Sequence, residues 1–435
     1  MEKEGSSMKY VVRKTLPNGQ TILFNILTRS IEVVSDNADN ESISQKLKAS
    51  FILVDGEEAL SRYVHNKLKY PSEDRLIIID AWTLNCNLSC TYCMQQDTRK
   101  LNPQLSLSPE ERVQIWDQLR RIFRKEYIDV LLFGGEPFYD PSYVEEMLSM
   151  SKNLSIPVGH YSAITNGVFK DPERTLEIIT EYPFEYVQIT LDGPPRIHDK
   201  RRIFPTGNGT FNKIMENIRL LLEHTDIRII IHSVIDAQNW KYYGEMLDIL
   251  LNKFGDHIKD RRIVFNVGME SHPSSPCTHT ISNIPDPEQY ATMFLYAIRE
   301  AINRKVPIIS FLSESVCTYN KDNELLVGPD GSIYKCTSAI GLDNFKVASK
   351  EEVFHNPELF LVKYAQFIEG GKGDNYCWSC QYFPVCGGGC VYNAWIEGKK
   401  KDCWAIFHQK TLPKFAEMLL EVDEIEPDIW VPLEK

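Results

Sequence analysis

The spacing of apolar residues changes twice along this chain. In residues 10–16, 20–27 and 30–35 apolar and polar side chains alternate, and the runs are divided by turn signals such as Pro17-Asn18-Gly19. Alternation with period two marks half-buried strands, so this stretch predicts a short β-meander. Residues 42–70 carry a helical pattern and predict two or three short helices behind it, with 70–75 as a linker. From residue 76 an apolar run followed by an amphipathic stretch recurs. Runs at 77–83, 127–133, 158–165, 186–192, 227–235 and 262–268 predict six strands, with helical segments such as 108–126 and 209–225 between them. Ser108-Pro109-Glu110-Glu111 has proline at the first helical position and acids in the first turn, a helix start.

Six strand–helix units imply a parallel sheet with right-handed crossovers. Six strands are too few for a closed eight-fold barrel. The expected fold class is therefore α/β: a partial (β/α)6 barrel of TIM type, with a small N-terminal winged-helix-like α+β module and a Cys-rich C-terminal region. The expected divisions are 1–72, 73–305 and 306–435. Past about residue 310 the strand–helix rhythm stops, and Gly328–Cys336 (GPDGSIYKC) reads as a turn into a hairpin. Such a Cys-rich region is expected to be held by metals more than by an apolar core.

Composition narrows the function. At 435 residues the chain has room for two or three domains, and 43% hydrophobic with 25% charged residues fits a soluble globular protein. A net charge of -12 argues against a duplex nucleic-acid binder. No apolar run reaches the ~18–20 residues that span a bilayer, and the first twenty residues hold no signal-peptide core. The expectation is a cytoplasmic protein with no membrane partner. Its eleven cysteines are then not structural disulfides, because that compartment is reducing. Three lie at 86–93 and five at 377–403, a clustering that points to metal or cluster ligation.

Cys86, Cys90 and Cys93 occupy the loop after the first barrel strand. A loop this short can wrap three thiolates around three corners of a cubane [4Fe-4S] cluster and leave the fourth iron for a ligand that is not protein. A zinc site completed by a distant residue is the competing reading. Barrel chemistry sits at the C-terminal strand ends, and the other polar motifs fall there. Phe133–Pro137 (FGGEP) ends the second strand: Gly134 and Gly135 let a ligand approach the backbone, and Glu136 offers a carboxylate to an amine. Ile164–Gly167 (ITNG) presents Asn166, and Ile189–Gly193 (ITLDG) presents Thr190 and Asp192. Small polar side chains at successive strand ends suit a ribose and an amino acid, although each motif alone could be turn chemistry.

The three-cysteine motif with Tyr92 before its last member, followed by GGEP, resembles the radical S-adenosylmethionine (SAM) enzymes. The resemblance implies a [4Fe-4S] cluster whose open iron binds the methionine part of SAM, and a 5'-deoxyadenosyl radical that abstracts hydrogen from substrate. It implies that Gly134, Gly135 and Glu136 line the methionine end. It places Thr190, Asp192, Asn166 and Arg202 among the SAM contacts, and Met269 against adenine. Cys317, Gly331 and Cys336, then Cys377-x2-Cys380-x5-Cys386-x3-Cys390 and Cys403, resemble the SPASM domain with its auxiliary clusters. By that resemblance Cys377, Cys380, Cys386 and Cys403 hold one [4Fe-4S] cluster, and Cys317, Cys336 and Cys390 hold another. Without the resemblance, this spacing would suggest a zinc ribbon. The fourth ligand of the inner cluster is Cys277, a substrate group, another residue or none.

Two subfamilies compete for the substrate. Anaerobic sulfatase maturases carry an acidic residue directly after the Cys of the hairpin, where this chain has Thr337. Maturases of ribosomally made peptides often begin with a winged-helix-like module that binds the precursor's leader, which fits residues 1–72. The expected function is therefore a radical SAM peptide maturase that installs a thioether or carbon–carbon cross-link, drawing electrons from a flavodoxin or ferredoxin-type reductant. Formylglycine formation on a sulfatase, peptide epimerisation, and a non-enzymatic iron–sulfur electron carrier are the alternatives. No catalytic acid or base is assigned: His198 is expected to pack or cap near the SAM site. The short basic run Arg196–Arg202 could face anionic groups.

Overall fold

The computed structural model describes residues 9–35, 47–50, 52, 74–96, 98, 107–269, 286–309, 317–371, 377, 380–399, 402–425 and 430–431. The N-terminal alternation forms β1 (Val11–Thr15), β2 (Gln20–Asn25) and β3 (Ile31–Ser35), an antiparallel meander in sequence order. Its apolar face is Val12, Ile22, Phe24 and Ile26, and it packs on Tyr382 and on Leu412 and Ala416 of the helix Ala405–Ile425. Of the helices expected over 42–70, only a turn at 47–49 is described, with Leu47 and Ile52 against Val11 and Leu23. The rest lies outside the described residues, as does Cys277.

The six expected barrel strands are β4 (Arg75–Asp80), β5 (Tyr127–Leu132), β6 (Val158–Thr165), β7 (Phe184–Thr190), β8 (Arg228–Ile235) and β9 (Ile263–Met269). They lie side by side in chain order, every pair parallel. A repeated device starts four of the helices between and after them. Ser108, Asp140, Asp171 and Asp286 each accept a first-turn N–H, and each is followed by a proline at the first helical position. The cap satisfies a free donor, and the ring fixes φ where its missing N–H costs nothing. Strand alternation sorts the apolar residues. Val130, Leu132, Ala163, Val187, Ile189, Ile229, Ile231 and Phe265 pack under the helices. Ile79, Leu131 and Ile164 face the other way.

That inner face receives the C-terminal region. β10 (Ile308–Ile309) adds to the β9 edge, and β11 (Glu324–Val327) pairs in parallel with β4 and continues through β12 (Ile333–Tyr334) and β13 (Lys346–Ala348). With β14 (Trp430–Val431) beyond β10, the described residues form one eleven-stranded sheet. Leu326, Tyr334, Ala339, Ile340, Phe345 and Tyr392 bury against Ile79, Ala81, Leu84 and Phe133. This part of the tail therefore has an apolar core continuous with the barrel, more than the expectation of a metal-held region allowed. Asp80 at the end of β4 fastens the joint. It accepts from Arg112 Nη1 (3.0 Å) and Trp116 Nε1 (2.6 Å), while Arg112 Nη2 reaches the carbonyls of Gly328 and Pro329 in the GPDG turn. Among the described residues no helix is long and apolar enough to cross a membrane.

Candidate active site

After β4 the chain runs into the loop of Cys86, Cys90 and Cys93, which is clamped from three sides. From β5, Gly135 N–H donates to Thr83 O (3.0 Å) and Glu136 N–H to Asn85 O (2.9 Å). A Cβ on Gly134 would stand 2.2 Å from Thr83 O, and one on Gly135 2.3 Å from both Leu84 O and Asn85 O. The two glycines, expected to make room for a ligand, first make room for this loop. From β6, Asn166 Nδ2 donates to Asn87 Oδ1 (2.7 Å) and to Cys86 Sγ (3.4 Å), and Asn87 Nδ2 donates to Val168 O (2.6 Å). From the segment after β7, Ile203 O accepts from Ser89 N–H and Arg201 O from Thr91 N–H, at 2.8 and 2.9 Å.

Glu136 was expected to offer its carboxylate outward. It is fully buried and takes Thr165 Oγ1 (2.6 Å), Phe138 N–H (3.1 Å) and Asn166 N–H (2.8 Å). Burial pushes its carboxyl up to about 7. In this arrangement Glu136 ties the end of β5 to the end of β6.

A charged network closes the third side. Tyr92 Oη donates to Asp192 Oδ2 (2.5 Å) and accepts from Arg202 Nη1 (2.8 Å). Arg201 reaches Asp192 (3.4 Å) and Asp236 (2.6 Å), and its guanidinium lies 4.5 Å above the Tyr92 ring. Against burial, Arg201 and Arg202 hold the Asp192 carboxyl below the usual range. The basic run thus spends Arg201 internally, and Arg196 pairs with Glu245. His198 is buried, with Nδ1 accepting from Asp192 N–H (3.2 Å) and Nε2 at 3.0 Å from Thr210 Oγ1. Burial lowers it to about 3. It is a neutral structural histidine, as its position near the site suggested. Thr190 ends β7, and Met269 ends β9.

The C-terminal cysteines gather in two places. Cys317, Cys336 and Cys390 are close enough to raise one another, and burial pushes Cys336 to about 12 and Cys390 to about 11. Tyr319 and Tyr392 pack beside them. Cys377, Cys380, Cys386 and Cys403 line one recess with Phe383, Gly388 and Trp404. All four cysteines expected to share a cluster therefore face one space. Among the described residues no three His, Cys, Asp or Glu side chains are gathered as one metal ion requires.

A family model described as "Radical SAM superfamily" matches residues 82–250, from the Cys loop through β8 and into the helix after it. Those residues form a Radical SAM domain. A cysteine-type anaerobic sulfatase-maturating enzyme of Clostridium novyi (strain NT) is 25% identical over 350 residues, 73% of this chain and 88% of the relative. The native anSMEcpe structure with bound AdoMet and Cp18Cys peptide superimposes with TM-score 0.64 at 19% identity, over 81% of this chain and 100% of that one. Streptococcus suis SuiB bound to precursor peptide SuiA superimposes with TM-score 0.57 at 16% identity, over 92% of this chain and 99% of that one. At these identities the two structures establish a shared fold.

The cofactors of a Radical SAM domain are a [4Fe-4S] cluster and SAM, and the residues present fit both. Half-buried thiols such as Cys90, which desolvation pushes up to about 11, ionise readily only against a cation such as iron. Cys86 Sγ already accepts N–H groups from Leu88 and Asn166, at 3.4 Å each. Among the described residues Arg202 Nε and His232 Nδ1 have no hydrogen-bond partner and are buried. Sequence reading missed Asn87, Arg201, Asp236 and His232. Asn87 lay inside the Cys motif and could have been weighed there. Asp236 and His232 carry no motif, and only the strand register brings them to the site.

Proposed function

We propose that the chain is a radical SAM peptide maturase that cross-links a ribosomally made precursor peptide through a thioether or carbon–carbon bond. When bound, the cluster and SAM supply a hydrogen-abstracting 5'-deoxyadenosyl radical. Cys86, Cys90 and Cys93 would hold three irons of that cluster, and Thr190 at the end of β7 and Arg202 after the following helix would orient SAM. Gly134, Gly135, Glu136, Asn166 and Asp192 act chiefly by fixing the Cys loop, so the cluster is presented in one geometry. Tyr319, Tyr334, Phe345 and Tyr392 wall the inner face with aromatic surface that keeps water from a reactive centre. Cys377, Cys380, Cys386 and Cys403 would hold an outer auxiliary cluster, and Cys317, Cys336 and Cys390 an inner one. A flavodoxin or ferredoxin-type protein would supply electrons in the cytoplasm.

The observation that carries this reading is the three-cysteine loop, clamped at the open end of the partial barrel in a Radical SAM domain. Two further observations support a ribosomal peptide as substrate. The SuiB superposition extends over 92% of this chain against 81% for anSMEcpe. The β1–β3 meander leaves β3 as an edge strand among the described residues, where a leader peptide can add a strand. Sulfatase maturation is the second reading, favoured by the identity to the Clostridium novyi enzyme. Against it, Thr337 follows Cys336 and opens the short 3-10 turn Thr337–Ala339. Co-expression with the small peptide of the neighbouring reading frame, followed by mass spectrometry, tests the proposal. Loss of two hydrogen atoms per link supports it. An unchanged mass with a D-residue would make the protein an epimerase. Formylglycine on a sulfatase peptide, with no change to the precursor, would favour the second reading.

A further inference from the structure

We propose that the Lys335 ammonium is a fixed positive charge of the inner auxiliary site, where it raises the reduction potential of the cluster held by Cys317, Cys336 and Cys390. The inference rests on the function proposed above and adds to it a residue that holds no iron. Lysine is almost never fully buried unless something holds its charge. Lys335 is 0% exposed, and no other lysine among the described residues is buried. The remaining buried cations of the described residues are Arg112, at the β4 joint, and Arg201 and Arg202, at the first Cys loop. Within the Cys-rich tail, Lys335 stands by itself in this respect among the described residues.

Two cysteine-bearing segments meet at this side chain. Cys336 is its chain neighbour and caps the turn Thr337–Ala339. Cys317 caps the 3-10 turn Thr318–Asn320, and Lys321 ends that turn. Lys335 Nζ donates to Lys321 O and, at 2.6 Å, to Glu324 O. It also lies over the ring of Tyr364, 5.5 Å from the centroid. Tyr364 belongs to the helix Pro357–Gly371, and its hydroxyl donates to Asp322 O (2.9 Å). The ammonium thus ties the segment that carries Cys317 to the strand end that carries Cys336.

Two carbonyl oxygens and an aromatic face all favour a positively charged donor. These contacts are neutral, so they orient the charge without cancelling it. The Glu324 carboxylate is already taken up by Lys321 Nζ, at 2.5 Å. Burial works against the ammonium; Glu324, Asp322 and the Cys317 thiolate favour it, in that order, and Lys321 opposes it. Thiolates make an iron–sulfur cluster anionic, and one-electron reduction adds a negative charge. In an interior of low dielectric a nearby buried cation stabilises that added charge, which raises the potential. The outer recess offers nothing similar: its described lining of cysteines, aromatic rings and small residues includes no basic side chain. A raised potential suits the inner cluster to take up an electron.

The test is a potentiometric titration of the anaerobically reconstituted full-length enzyme, read by electron paramagnetic resonance, with iron counted on each sample. Wild type is compared with Lys335→Gln, which keeps a donor, with Lys335→Met, which keeps the bulk, and with Lys335→Arg, which keeps the charge. The inner signal is the one that Cys336→Ala lacks, and the other two signals are internal controls. In Lys335→Gln and Lys335→Met the ratio of reduced to oxidised inner cluster at a fixed potential should fall about tenfold, a drop of about 59 mV for one electron. The control signals should stay in place, and Lys335→Arg should titrate with wild type. An unmoved inner signal in iron-replete Lys335→Gln overturns the proposal. So does an equal shift of all three signals, or a shift in Lys335→Arg as large as in the neutral variants. If the neutral variants lose about four irons, Lys335→Arg decides. Iron kept there supports a cation at the site; iron lost in all three variants makes Lys335 a packing residue and overturns the proposal. Wild type that takes up no iron in the tail would instead remove the auxiliary-cluster reading beneath it.

Discussion

His198 shows how a residue's surroundings set its chemistry. Its imidazole titrates near 6.5 in an unfolded chain and at about 3 in the fold, because burial disfavours the charged ring. The folded state therefore binds fewer protons between those values. Stability falls as pH drops through 6.5 toward 3, at about 1.4 kcal/mol per pH unit for this group, and is unaffected by it above about 7.5. Denaturant titrations at pH 7 and 5.5 should show a shallower pH slope for His198→Asn than for wild type; parallel slopes would contradict the assignment. Gly135 is the sharper residue test. Alanine there collides with two backbone carbonyls of the Cys loop, which cannot yield as a flexible side chain can. Gly135→Ala should lose about four irons per chain while keeping the C-terminal clusters; full iron content would contradict the clamp. At this scale the cysteines were legible, because their spacing is local. The inward turn of Glu136 and the open nitrogen of His232 were not, since their partners or neighbours lie 29 to 42 residues away or across a sheet.

The barrel strands were legible to within two or three residues and the helix started at Pro109 to within four, because each is written in a contiguous pattern. The pairing of β11 with β4 was not: nothing local in Glu324–Val327 announces a parallel neighbour nearly 250 residues earlier. Its fastening is the buried Asp80–Arg112 pair, both side chains fully shielded. Removing one member leaves an unpaired charge inside the protein, which typically costs about 3–5 kcal/mol. Arg112→Met should therefore lower the denaturation midpoint strongly, and the Asp80→Asn, Arg112→Met double variant should lose less than the two singles added together. Additive losses would show that the pair does not act as a unit.

For the whole molecule, the meander, barrel and Cys-rich tail are parts of one packed body. The meander rests on the helix Ala405–Ile425, whose start lines the recess of four cysteines, and the hairpin of the tail extends the barrel sheet. Charge and hydropathy pointed to the class of protein, and the cysteine pattern to its chemistry. Their union through one sheet emerged only in three dimensions. The central claim is that three cysteine sets hold iron–sulfur clusters and that the first of them cleaves SAM. Anaerobic reconstitution of the full-length chain, with metal analysis and a 5'-deoxyadenosine assay under dithionite, tests it most directly. The account predicts about twelve irons per chain, with deoxyadenosine formed by wild type and abolished in Cys93→Ala. Zinc in place of iron, with no deoxyadenosine from wild type, would contradict it.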